Sequence, residues 1–140
     1  MPKLPCACAN LRRAARVVTR IYNRELRSTG LELTQFTLLM TLEATGETTQ
    51  GRLGKLLALD STSLTRMLRL PAGKGWIAEK RGDDRRQRLL RLTRAGQQKL
   101  KAAWPNWERA QTRLRQALGE TAWVEMGQLL SRIVEAARVA

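Results

Sequence analysis

The chain has 140 residues, with 26 Lys and Arg against 12 Asp and Glu, a formal charge of +14 and no histidine. A single domain of this length buries a core without disulfide or metal staples, and the missing imidazole excludes histidine-based catalysis and the usual zinc sites. The charge excess points to a polyanionic partner.

That charge is a patch. Residues 61–101 hold twelve basic and three acidic side chains, whereas residues 102–140 hold five and four. No run is long and apolar enough for a transmembrane helix. The opening "MPKLPCACANLRR" has no apolar stretch before a cleavage site, so the expected location is the cytoplasm, where Cys6 and Cys8 remain thiols.

In chain order, residues 9–28 predict an amphipathic helix, with Leu11, Ala14, Ala15, Val18, Ile21, Tyr22 and Leu26 recurring at steps of three and four. Arg12, Arg16, Arg20 and Arg24 form a stripe on another face, which reads first as a solvated helix face, and Gly30 closes the helix. Thr34 is the expected cap of a second helix through Phe36, Leu38, Leu39 and Leu42, stopped at Gly46. Thr49 caps a short third helix, "LALD" supplies a tight turn, and Asp60 or Ser61 caps the next helix. Two short helices joined by such a turn are the helix-turn-helix pattern. The second opens with Ser61, Thr62, Ser63, Thr65 and Arg66 and continues to Arg69. Hydroxyls and an arginine at that end suit a major groove, although Ser and Thr are also ordinary caps.

"WIAEKR" and "RLLRL" have strand character and flank "GDDRRQ". They predict an antiparallel hairpin with a basic tip, which turns the motif into a winged helix. Thr93 caps a long helix over 95–118 that contains Pro105, where a kink is expected. Gly119 breaks the chain and a last helix follows to about residue 138. The apolar stripes of the first and last two helices exceed what the small winged part covers, so a subunit interface is expected to bury them. The fold class is therefore mainly α with a small β-hairpin wing. Within a single domain over 1–140, about 34–93 is the winged helix-turn-helix and about 8–30 and 95–138 are dimerisation helices.

With this order of elements, "GLELTQFTLLMTL", "LTRMLRLPAGKGWI" and "DDRRQRLLRLTRAG" resemble the MarR family of bacterial transcription regulators. The wing segment follows the family's Asp, two basic residues, then a strand ending Leu-Thr-x-x-Gly. The resemblance covers about residues 8–138. It implies a homodimer that binds a pseudo-palindromic site in double-stranded DNA, usually as a repressor, and releases it on binding a small ligand or on oxidation. By motif position Asp84 braces the wing and Arg86 enters or borders the minor groove. Ser61 to Arg66 fall where the family contacts bases and phosphates, while Arg85 and Arg88, read from charge alone, either contact phosphates or are solvated. One departure is "LRLPAGKGWI", where Pro71, Gly73 and Gly75 predict an early, loose helix end.

The resemblance also implies that Cys8, with Cys6 beside it, falls near the reactive cysteine of peroxide-sensing members; the alternative is inert thiols at a frayed terminus. Phe36, Trp76, Trp104 and Trp107 either line an effector pocket or form ordinary core. Neither a cofactor nor a metal is expected. An enzyme is not expected either, since no phosphate-cradling loop or paired carboxylates accompany the missing histidine. A non-specific architectural DNA-binding protein would explain the charge but not the hydroxyl-rich helix start.

Overall fold

The structure is a computed structural model that describes residues 4–139. The helix in its middle is α2 (Leu33–Thr45), whose Phe36, Leu38, Leu39 and Leu42 form one broad apolar face and are all at most 1 % exposed. Here α1 (Ala7–Leu26), α5 (Arg94–Leu118), α4 (Ser61–Gly73) and strand β3 (Arg88–Leu92) cover it.

The helix-turn-helix is α3 (Gln50–Leu57) and α4, separated by Ala58, Leu59 and Asp60. Ala58 takes a left-handed conformation, φ 52°, and the Leu59 N–H donates to the Gly54 carbonyl at 2.9 Å. The caps expected at Thr49 and Thr93 are present: each side-chain oxygen accepts a backbone N–H of the first turn, from Arg52 and Gly96. The expected hairpin is β2 (Ile77–Arg81) and β3, in register from Ile77 opposite Leu92 to Arg81 opposite Arg88. A third strand that the sequence pattern does not announce, β1 (Thr48–Thr49), pairs with the other edge of β3, giving the order β1-β3-β2. Long helix α5 then leads through Gly119 into α6 (Glu120–Val139).

Three expectations need correction. The first helix starts at Ala7 and stops at Leu26, with a 3-10 turn over Arg27–Thr29 before Gly30. Glu32, not Thr34, is the residue ahead of α2. Its N–H donates to Gln35 Oε1 at 3.0 Å, and the Leu33 N–H donates to Asn23 Oδ1 of α1 at 2.7 Å. The third concerns α4, which does not end early. It runs through a buried Pro71 to Gly73, and the Lys74, Gly75 and Trp76 N–H groups donate to the Leu70, Ala72 and Pro71 carbonyls. Proline costs a helix the bond its own nitrogen would make, but so near the C-terminus the ring gains burial and the following amides close the end. Pro105 lies within continuous helix.

The wing is fixed to α5 at one joint. The Trp76 carbonyl accepts the Thr93 N–H at 3.0 Å, and the Thr93 hydroxyl donates to the Gly75 carbonyl at 2.5 Å. Gly96, one turn on, lies so close beneath Trp76 that an added Cβ would overlap its carbonyl oxygen. Neither backbone segment is the flexible end of a side chain, so Gly96→Ala is expected to destabilise by about 1–3 kcal/mol, the usual cost of overpacking. A lowered urea midpoint with unchanged slope is the expected outcome; an unchanged midpoint would mean that the joint yields.

Candidate nucleic-acid interface

The reader helix buries Leu64 and Leu68 and leaves Ser61, Thr62, Thr65, Arg66 and Arg69 exposed. This is the period of an amphipathic helix with its apolar face on the core. Ser63 is different from its neighbours. Its N–H and hydroxyl donate to the two Asp60 carboxylate oxygens at 2.7 and 3.0 Å, so it belongs to the cap and is only half exposed. Thr65 accepts a hydrogen bond from Gln50 Nε2 of α3 at 3.0 Å, which fixes its hydroxyl. Gln50 is a site residue that the sequence reading missed. Its only signal is its place directly after the Thr49 cap.

The wing tip is built on Asp84. Its Oδ1 accepts the Arg86 N–H at 3.1 Å, its carbonyl accepts the Gln87 N–H at 2.8 Å, and the Gly82 N–H closes the loop onto the Gln87 carbonyl at 2.9 Å. A carboxylate that orders a turn by taking its amides is an Asx turn. The bracing expected of Asp84 is thus local and backbone-directed. Arg85 and Arg86 are exposed and pair with no carboxylate among the described residues. Arg88 lies lower on the strand and is engaged by Glu79 at 3.1 Å, so a phosphate there has to compete with an existing partner. On the other side of the wing, Lys80 pairs with Glu47 at 3.1 Å. Because α4 packs against β2, reader and wing belong to one unit.

The four aromatic residues do not line one pocket. Phe36 stacks on Trp107 with ring centroids 5.7 Å apart and meets Trp104 at 5.9 Å, while Trp104 and Trp107 are 5.0 Å apart. These three rings fill space as core. Trp76 has Lys99 Nζ above its ring at 5.3 Å. Trp104 borders a cleft of about 540 Å³ shared with Glu43, Gln97, Leu100, Lys101 and Pro105.

Cys6 and Cys8 are both exposed and unbonded, Cys6 directly before α1 and Cys8 in its first turn. Between α1, α5 and α6 runs an apolar groove of about 420 Å³ with Leu11, Val18, Trp123, Met126, Leu130 and Ile133 on its walls. Tyr22 lies at its base, donating to Gln111, and burial pushes its phenol up. On α6, Val124, Leu129, Leu130 and Val134 stay about half exposed.

Residues 31–87, from the chain entering α2 to the wing tip, match the MarR family profile. A crystal structure of the M. tuberculosis transcriptional regulator MosR in complex with DNA superposes with a TM-score of 0.87 at 30 % identity, covering 96 % of this chain and 97 % of that one. The chain belongs to the MarR family. Among its relatives, a probable transcriptional regulator from Pseudomonas aeruginosa has a TM-score of 0.82 at 25 % identity, over 92 % of this chain and 97 % of that one. YwoH of Bacillus subtilis, an uncharacterized HTH-type transcriptional regulator, is 27 % identical over 89 residues, which are 64 % of this chain and 65 % of YwoH, just under two thirds. A mutant E. coli MarR complexed with operator DNA shares the fold, with a TM-score of 0.81 at 23 % identity over 89 % of this chain and 91 % of that one. MarR membership makes the chain a transcriptional regulator and not an enzyme. Among the described residues, no helix is long and apolar enough to cross a membrane.

The cap at the reader's start is also a titrating group. Hydrogen bonds from the Ser63 N–H and then its hydroxyl hold the Asp60 carboxyl below the usual carboxylate range. With the folded value below the unfolded one of about 3.9, the stabilisation is complete above the unfolded value and is lost as pH falls through the folded one. Asp60→Ala is therefore expected to lower Tm at neutral pH, and the gap from the parent should close only in melts taken below that range. A gap independent of pH would show that the carboxylate charge plays no part in the cap.

Proposed function

We propose that the chain is a homodimeric, sequence-reading DNA-binding repressor that a small ligand releases. The observation that carries this is the pairing, in one packed unit, of a reader helix exposing Ser61, Thr62, Thr65, Arg66 and Arg69 with a wing whose Asp84-ordered tip presents Arg85 and Arg86. Side-chain hydroxyls and guanidinium groups read base edges in the major groove. An arginine on a short, ordered loop neutralises phosphates or enters the minor groove beside it. MosR, which is similar over nearly its whole length, has been crystallised with DNA, and that supports the same partner for this chain.

Two copies would meet through the apolar groove of α1, α5 and α6, each filling the other's. A two-fold dimer sets its reader helices about 34–36 Å apart, one turn of duplex, and so calls for a pseudo-palindromic site. The cleft beside Trp104 supports the ligand half of the proposal: it joins an indole face to Lys101 and Glu43 on helices α5 and α2, which also carry the wing and the core.

A second reading is oxidation sensing through Cys8 with Cys6, favoured by their exposure at the start of α1. It requires that peroxide treatment of the reduced protein lower its DNA affinity; equal affinity before and after sinks it.

Arg86→Ala is expected to weaken binding to every duplex alike and to reduce the log–log salt slope by about 0.9 per protomer, one phosphate contact each. Thr65→Val should instead alter sequence preference, by about 1–3 kcal/mol at one base pair in each half-site. Fluorescence anisotropy over a salt series checks both. An Arg86→Ala protein with unchanged affinity and slope would remove the wing from the interface.

A further inference from the structure

The sharpest charge feature outside the reader and wing is the outer face of α1. Arg12, Arg16, Arg20 and Arg24 recur every four residues and are all exposed. None of them pairs with a carboxylate among the described residues. The one acid of α1, Glu25, points elsewhere, pairing with Arg113 at 2.6 Å and Arg109 at 3.5 Å on α5. At about 100° per residue the four arginines centre roughly opposite Leu11, Val18 and Tyr22, the side that meets the groove and α5. The row therefore stays open when that groove is filled.

Such a row works against its own helix. Like charges at i, i+4 repel, and no acid in the first turn of α1 offsets the row. A solvated face needs no such regularity, whereas a rigid polyanion rewards it. Between Arg12 and Arg24 the row is about 18 Å long at the ~1.5 Å rise of a helix, a span of about five phosphates on one strand of duplex. Planar guanidinium groups suit phosphate bidentately. An anionic membrane is the poorer match, because surface helices insert an apolar face and that of α1 is turned to α5 and the groove. The helix packs mainly along α5 and α2, not on α4 or the wing strands.

We propose that the α1 arginine row is a second, sequence-independent docking surface for the phosphates of a separate DNA segment. A regulator seated on its site would thereby bridge two duplexes. The proposal rests on the DNA-binding reading for its first duplex, and the test separates the two. Short-duplex affinity is measured by anisotropy for the parent chain and for a variant carrying Arg12→Gln, Arg16→Gln, Arg20→Gln and Arg24→Gln together. Gln keeps helix propensity, and unchanged short-duplex affinity reports an intact reader. Both proteins are then loaded on a bead-tethered duplex, and capture of a free, labelled duplex is measured.

The parent is expected to capture the labelled duplex. The variant should lose at least about tenfold of that capture, since four contacts contributing about 0.9 each to the salt slope are gone. Equal capture by both proteins overturns the proposal. So does a parent that binds the short duplex but captures none, which leaves an acidic protein surface as the occupant of the row. A variant that loses short-duplex affinity as well assigns the row to the primary site and also overturns it. Failure of both proteins to bind any duplex would reject the DNA-binding reading itself.

Discussion

The molecule turns on the contact between the first turn of α5 and the root of the wing. There Thr93 does three things at once: its N–H and hydroxyl donate to the Trp76 and Gly75 carbonyls, and its oxygen accepts the Gly96 N–H. Gly96 makes the approach possible because it has no Cβ to collide with Trp76. The result is a continuous mechanical element. The 25-residue helix that leaves this joint carries Trp104 and Trp107 onto Phe36, then Gln111 and Leu114 into the groove where α1 and α6 meet. The groove region is thus connected to the wing by one continuous helix and a hydrogen-bonded joint. Lys99 adds a crosslink, donating to the Thr29 carbonyl at the end of the first helical segment while lying over Trp76.

Electrostatics place a second constraint on the design. A chain of charge +14 repels itself, and its arrangement shows where that repulsion is offset internally and where it is left for a partner. Glu25 holds Arg109 and Arg113, Glu120 holds Arg115, Glu79 holds Arg88, and Glu47 holds Lys80. These exposed pairs contribute little stability each; their interest is that they account for arginines and lysines that are already occupied. Among the described residues Arg66, Arg69, Arg85 and Arg86 have no such ion pair, and they lie on α4 and the wing. Counterion release on neutralising phosphates gives such residues a favourable outlet.

Elements set by local chemistry were legible in the sequence. Thr49, Asp60 and Thr93 cap where a residue with a short side-chain oxygen precedes an amphipathic run, and Gly30, Gly46 and Gly119 sit at helix ends with positive φ. What escaped depends on partners distant in the chain. At the start of α2, Glu32 and Gln35 cap each other's amides and Asn23 from α1 also holds the Leu33 N–H, so Thr34 is not the cap. Strand β1 is two residues long and exists because β3 offers it a free edge forty residues on; no periodicity can announce so short a strand. Pro71 read as a stop because proline lacks an N–H, but its ring is buried in the core. In the candidate site, the residue types and the wing bracing followed from the motif. The engagement of Thr65 by Gln50 did not, since it needs the three-dimensional approach of α3 to α4, whereas that of Ser63 by Asp60 is part of the local cap.

In the proposed division of labour, exposed hydroxyls on α4 read sequence while the wing and its arginines supply affinity. The most direct test compares duplex from the chain's own upstream region with a shuffled copy of it, by fluorescence anisotropy at a low and a moderate salt concentration. The account predicts that both affinities fall with salt but that the preference for the native duplex persists, because base contacts are not screened as phosphate contacts are. Equal binding to the two duplexes, lost together as salt rises, would contradict it and leave only a protein that coats DNA through its charge.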